Sequence, residues 1–230
     1  MPKPVKWIIT CEHASMFVPL KYKNKIPVSV LNTHRGIDFG AEEFAKKISV
    51  HYRTPLYLGK TTRLLVDLNR APHNLQHLFS SYIKELGQKE NTEILKKYYL
   101  PFRSMVEKEI RKTLSKGFRV FHLSVHSFTP FLYGKTRQTD IGILFDPSRQ
   151  QERFYAKTWR KNLKKQNSPF RVRFNYPYKG TADGFTTYLR SKINSKNYIG
   201  IELEMNQKYP LKDKKQWKVL QQHLLETIPQ

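Results

Sequence analysis

"VKWIITCEHAS", Val5 to Ser15, joins an apolar, β-branched run to a carboxylate, an imidazole and small residues. A short run of this kind reads as a buried strand over residues 5–11, with Glu12 and His13 at its carboxyl end. Loops that leave rigid strands are where proteins place chemistry. Similar runs predict strands at 55–58, 64–68, 119–125, 141–145, 172–176 and 198–205. Helical patterns at 41–51, 88–116, 149–165, 184–193 and 214–227 fall between and after them. Strands alternating with helices predict an α/β fold: a mixed, largely parallel central sheet with helices on both faces. There is no repeat, low-complexity linker or break in composition, so residues 1–230 are expected to form one domain.

In such sheets ligands bind outside the carboxyl ends of the strands. Four of the seven expected strands deliver reactive groups there. Residues 5–11 lead into Glu12-His13, 64–68 carry Asp67 and lead into Asn69-Arg70, 119–125 lead into His126-Ser127, and 198–205 carry Glu202 and Glu204. A catalytic zinc takes three His, Asp or Glu ligands and keeps one position open. His13 and His126 are the natural imidazole ligands. The third is expected from "HRGIDFGAEEFA", which offers Asp38, Glu42 and Glu43. Glu42 and Glu43 fall in a first helical turn, where the macrodipole alone favours acids. Asp38 precedes the helix and is preferred, with Glu42 the alternative. His122 is expected on the opposite face of its strand and is left out, while His34 is a weaker substrate or supporting group.

Glu202 and Glu204 alternate with apolar neighbours and so share one strand face. Either that face is solvated or one carboxylate serves chemistry, since burying both is costly. Glu204, nearer the strand end, is the expected general base. Arg63, Asn69 and Arg70 suggest an anionic substrate, because the guanidinium fork matches carboxylates. Asp67 with Arg70 could instead be a local pair. The turn "YKGTADGFTTYLR" is read as a covering loop before a helix.

Composition bounds the partners. The chain carries 42 Lys+Arg against 18 Asp+Glu, a net charge of +24, which raises nucleic acid as a rival ligand. The basic residues are spread along the chain and no recognition motif accompanies them, so solvated faces are the simpler reading. The single cysteine, Cys11, excludes an internal disulfide and fits a reducing, cytoplasmic setting. No run of 18 apolar residues occurs, so no membrane partner is expected.

Five segments in order, "CEHASMFVP", "HRGIDFGAEEFA", "TRLLVDLNRAP", "SVHSFTP" and "IELEMNQ", resemble the N-formylglutamate amidohydrolase family over residues 8 to 209. That family is similar in fold to zinc carboxypeptidases and aminoacylases, within the phosphorylase/hydrolase-like architecture. The resemblance implies hydrolysis of the amide of a small, carboxylate-bearing N-acyl amino acid. It implies one Zn2+ held by His13, Asp38 and His126, Glu204 as base, and Arg63, Asn69 and Arg70 gripping carboxylates or the oxyanion. "CEHAS" replaces the His-plus-glycine stretch of histidine-degradation enzymes, and the chain is more basic and shorter, which leaves acyl group and amino acid open. A basic nucleic-acid-binding protein and a family member retained only for binding are the alternatives. Glu12 is expected to orient His13 or an arginine, and "ASMFVP" to wall the pocket.

Overall fold

The structure, a computed structural model, describes residues 3–229, so Met1, Pro2 and Gln230 of the expected 1–230 domain lie outside the described residues. Its strands are β1 (Val5–Cys11), β2 (Leu56–Leu58), β3 (Arg119–Phe128), β4 (Phe131–Leu132), β5 (Lys135–Thr136), β6 (Ile141–Leu144), β7 (Val172–Phe174) and β8 (Tyr198–Asn206). Six form one sheet in the order β2-β1-β3-β8-β6-β7, and β4 with β5 makes a small antiparallel hairpin. All neighbours in the large sheet run parallel except β6 with β8. This is the mixed, largely parallel sheet expected.

The central strands have two chemically different faces. In β3, Phe121, Leu123 and Val125 join Ile199, Ile201 and Leu203 of β8 in one apolar cluster. Helices Ala41–Tyr52, Gln150–Lys165 and Lys214–Thr227 cover it with Phe44, Trp159 and Trp217. The opposite face carries His122, Ser124, His126, Glu202 and Glu204, all buried. Its apolar cover is a second cluster, with Val106 and Ile110 from helix Leu100–Ser115 and Phe185 and Leu189 from helix Phe185–Ile193. Strand alternation therefore sends hydrocarbon to one layer and polar groups to the other.

Three expectations need correction. Residues 64–68 are not a strand. Their backbone closes local turns, Leu65 N to Thr62 O and Arg70 N to Asp67 O, while Leu64, Leu65, Val66 and Leu68 pack into the second cluster. A short apolar run reports burial, and here a loop is buried. The long helix expected over 88–116 is divided into Gly87–Ile94, a π-helical segment Leu95–Tyr99, and Leu100–Ser115. Pro101, which has no N–H to donate, stands at the start of the third piece. Finally, His122 lies on the same face as His126, because four residues along a strand is an even step. Its ring nitrogens meet Thr10 Oγ1 at 2.9 Å and Tyr198 Oη at 2.8 Å. It is structural, and burial lowers its pKa to about 4.

Candidate metal centre

The centre forms where β1, β3 and β8 lie side by side. Thr10 of β1 pairs with Ser124, and His126 of β3 pairs with Glu204 of β8. His13 therefore leaves β1 beside His126, with ring centroids 4.9 Å apart. Asp38 arrives from the loop before helix Ala41–Tyr52, where its backbone N donates to His13 O at 3.2 Å. Gly40, at φ 80°, makes the left-handed turn that starts that helix.

Ligand-type atoms of His13, Asp38 and His126 lie within 4.8 Å of one another, and all three residues are buried. His13 Nδ1 is 3.1 Å and His126 Nδ1 2.8 Å from the same Asp38 Oδ2. The other nitrogens face acids: His13 Nε2 lies 2.7 Å from Asp67 Oδ1, and His126 Nε2 lies 3.1 Å from Glu12 Oε2. Ser124 Oγ donates to that same Glu12 oxygen at 2.7 Å. Glu12 thus orients His126, rather than His13 or an arginine.

The electrostatics follow from this packing. Burial would raise the Asp38 pKa, but the two imidazoles outweigh it and hold the carboxyl well below the carboxylate range. Glu12 is likewise held down, at about 2, by His126 against the cost of burial. Asp67 is kept low despite burial, with Arg63 and His13 responsible. The His126 pKa is driven up against burial by Asp38 and Glu12. Glu204 behaves oppositely: burial pushes its pKa to about 8, and its Oε2 is buried without a hydrogen-bond partner. Glu202 is spoken for, since the Thr186 hydroxyl donates to its Oε1. β8 lies between β3 and β6, so these acids do not sit on a solvated edge. Gly142 of β6, opposite Glu204, has no room for a side chain, as a Cβ there would stand 1.9 Å from Tyr176 O.

A pocket of about 120 Å³ opens onto this cluster. It gathers His13, His34, Asp38, Arg63, Asn69, Arg70, His126, Glu202 and Glu204, together with the loop residues Lys179 and Gly184. Arg63 lines it while pairing with Asp67 Oδ2 at 2.8 Å and Asp38 Oδ1 at 3.4 Å. Asn69 Oδ1 accepts from Phe185 N at 2.7 Å, and Arg70 Nη1 donates to Asp183 O at 2.7 Å. Asp67 therefore pairs with Arg63 and His13, and not with Arg70. Residues 14–19, expected as a wall, contribute nothing to the lining. Glu42 pairs with Lys46, and Glu43 accepts from Trp217 and Gln221, so both belong to the helix surface. Asp67 and Glu12, the acids that face the two rings, are the positions that the sequence left undervalued. Their signal was an acid just after β1 and another in the buried turn over 64–68, with nothing local to say which imidazole each faces.

No helix among the described residues is long and apolar enough to cross a membrane. A search of curated proteins gave no match. Two solved structures are similar in fold. One is a gene product of Agrobacterium tumefaciens, 24% identical with a TM-score of 0.82, the match covering 97% of this chain and 88% of that one. The other is N-formylglutamate amidohydrolase from Ralstonia eutropha, 13% identical with a TM-score of 0.76, covering 99% and 93%. The N-formylglutamate amidohydrolase family itself matches residues 5–209, nearly the whole chain and all five segments singled out above. The chain belongs to the N-formylglutamate amidohydrolase family.

Proposed function

We propose that the protein is a zinc-dependent amidohydrolase that cleaves the amide bond of a small, anionic N-acyl amino acid of the N-formylglutamate kind. One observation carries the reading: two imidazole nitrogens converge on one oxygen of Asp38, while an acid holds the far nitrogen of each ring. A carboxylate that accepts from Nε2–H fixes the tautomer and leaves the lone pair on Nδ1. Two ring nitrogens and an anionic oxygen at 2.8 and 3.1 Å need positive charge among them, which either a proton on His126 or a divalent cation in its place supplies. The set of two nitrogens and one oxygen, without sulfur, suits a catalytic zinc. The residues present thus fit the ion, with His13, Asp38 and His126 as its holders.

A divalent cation held there would polarise the acyl oxygen, bring the pKa of a water towards neutrality and favour the ionised form of Glu204. The chain's own groups do the rest. Glu204 Oε2, buried without a partner, takes the proton released as water adds to the acyl carbon. It then gives that proton to the amine nitrogen as the C–N bond breaks, yielding a carboxylic acid and a free amino acid. Asp67 and Glu12 keep the two rings in register. Arg63, Asn69 and Arg70 form the wall that receives the substrate carboxylate or the tetrahedral oxyanion. Arg70 carries most of this, because Asp183 O takes only one of its nitrogens. The buried, unpaired thiol of Cys11 suits a cytoplasmic enzyme.

The test is metal content and turnover on one preparation made without chelator. Plasma mass spectrometry should find zinc near one per chain, lost in His13→Ala and His126→Ala, and N-formylglutamate should release formate. A protein free of metal that stays inactive after zinc is added would overturn the proposal.

A further inference from the structure

Of the guanidinium groups that line the pocket or lie behind its lining, most are already committed; Arg63 and Arg70 line it, and Arg103 and Arg137 lie behind it. Arg63 is paired with Asp38 and Asp67, and one nitrogen of Arg70 is held by Asp183 O. Arg103, beneath the Asp67–Arg70 turn, donates to Leu68 O and Arg70 O. Arg103 also has one nitrogen, Nη2, buried without a partner, but Arg137 differs from all three in having no committed side-chain nitrogen. Among the described residues its side chain makes no hydrogen bond and no ion pair, and its Nη1 is buried without a partner. The guanidinium carbon lies 5.9 Å from the ring centre of Phe128 and 5.5 Å from that of Tyr178. Both rings line the pocket.

The backbone under Arg137 is fixed. Its N donates to Pro130 O at 2.7 Å, and its carbonyl accepts from Asn206 Nδ2 at 3.2 Å. Asn206 ends β8, two residues beyond Glu204. The arginine is therefore tied to the strand that carries the proposed base, and does not ride on a free loop. Its charge also reaches the pocket wall: burial, then Arg63, Arg35 and Arg137, lower the pKa of His34, which lines the pocket. A buried guanidinium nitrogen without an acceptor is costly to leave unmade. The two aromatic rings beside it attract the cation without supplying that acceptor.

We propose that Arg137 anchors a second carboxylate of the substrate, the side-chain acid of a dicarboxylic N-acyl amino acid, leaving Arg70 to the first. A planar fork beside two rings is a suitable receptor for a carboxylate, and poor for a neutral amide of the same shape. The inference rests on the amidohydrolase reading for its substrate class but not for its test.

The experiment compares N-formylglutamate with N-formylglutamine, by equilibrium titration and by kcat/KM, on wild type, Arg137→Met and Arg137→Lys. Wild type should prefer the dicarboxylate. Arg137→Met should weaken its binding and kcat/KM ~10- to 100-fold while changing the glutamine compound less than about two-fold. Arg137→Lys, which keeps the charge but not the fork, should fall between them. Matching thermal melts of the three proteins exclude simple unfolding. Equal weakening of both compounds in Arg137→Met, or a wild type that binds them alike or not at all, overturns the assignment. Selective binding without turnover would support Arg137 and sink only the hydrolase reading.

Discussion

Glu152 is fully buried on the helix behind β8, and four nitrogens meet its carboxylate. Oε1 accepts from Arg190 Nε at 2.9 Å and Gly200 N at 3.2 Å and forms an ion pair with Arg149 Nε at 3.1 Å, and Oε2 accepts from Asp146 N at 2.9 Å. Arg190 in turn donates to Gly180 O at 2.6 Å and to Gly200 O at 2.9 Å, tying the pocket loop that follows Lys179 to β8. Consider Glu152→Gln, which keeps the shape and removes the charge. Whichever way the amide turns, its NH2 faces at least one N–H donor, and the buried Arg190 guanidinium loses the one carboxylate it pairs with among the described residues. Breaking a buried pair from one side costs ~3–5 kcal/mol. For a chain of this length that corresponds to ~6–10 °C in Tm. Urea unfolding followed by far-UV circular dichroism, with calorimetry beside it, measures both. The cycle is completed with Arg190→Leu and the Glu152→Leu/Arg190→Leu pair, which should lose less than the two single Leu variants together. A loss below ~1 kcal/mol in Glu152→Gln would refute the view that this pair is desolvated and obligatory.

Glu204→Gln should retain metal and lose ~10²–10⁴-fold in kcat, whereas Glu202→Gln, whose Oε1 is held by Thr186, should lose far less; formate release under saturating substrate decides between them. Asp67→Asn and Glu12→Gln should each weaken zinc retention ~10- to 100-fold in competition with a chelator, because each frees one imidazole to turn. Acid stability should report His122. Its folded pKa of about 4 lies below the unfolded value of 6.5, so the native state binds fewer protons and loses stability as pH falls through that window. His122→Gln should remove ~3 kcal/mol of that acid-side loss, and an unchanged slope between pH 6.5 and 4 would contradict its neutral burial.

How much of this was legible in the residues differs by feature. The strands β1, β3 and β8 were readable because period-2 alternation is local, and His13, His126 and Glu204 followed from where those runs end. β3 continues to Phe128, so His126 lies within the strand rather than after it. The His126 ring thereby stands on ladder-bonded backbone, whereas His13 lies just beyond the end of β1. Residues 64–68 misled for the converse reason: apolar content marks burial, and only the hydrogen bonds say whether a strand or a turn is buried. Glu12 and Asp67 were visible as acids but not as partners. Nor was Arg137 singled out, since one unpaired arginine cannot be told from its neighbours in a chain of charge +24.

By itself, then, the sequence determined the α/β class, the alternating faces of the central strands and the reactive residues at their ends, all properties of neighbours along the chain. Only the tertiary structure decided that β1 lies beside β3 and β3 beside β8, bringing Thr10 level with Ser124 and His126 level with Glu204. It likewise decided which acid faces which imidazole, and that Arg137 holds a buried nitrogen without a partner beside the pocket's aromatic rings. Those pairings join residues as distant in the chain as Thr10 and Ser124, or Glu12 and His126, where contact is set by layer packing and strand order rather than by any local pattern.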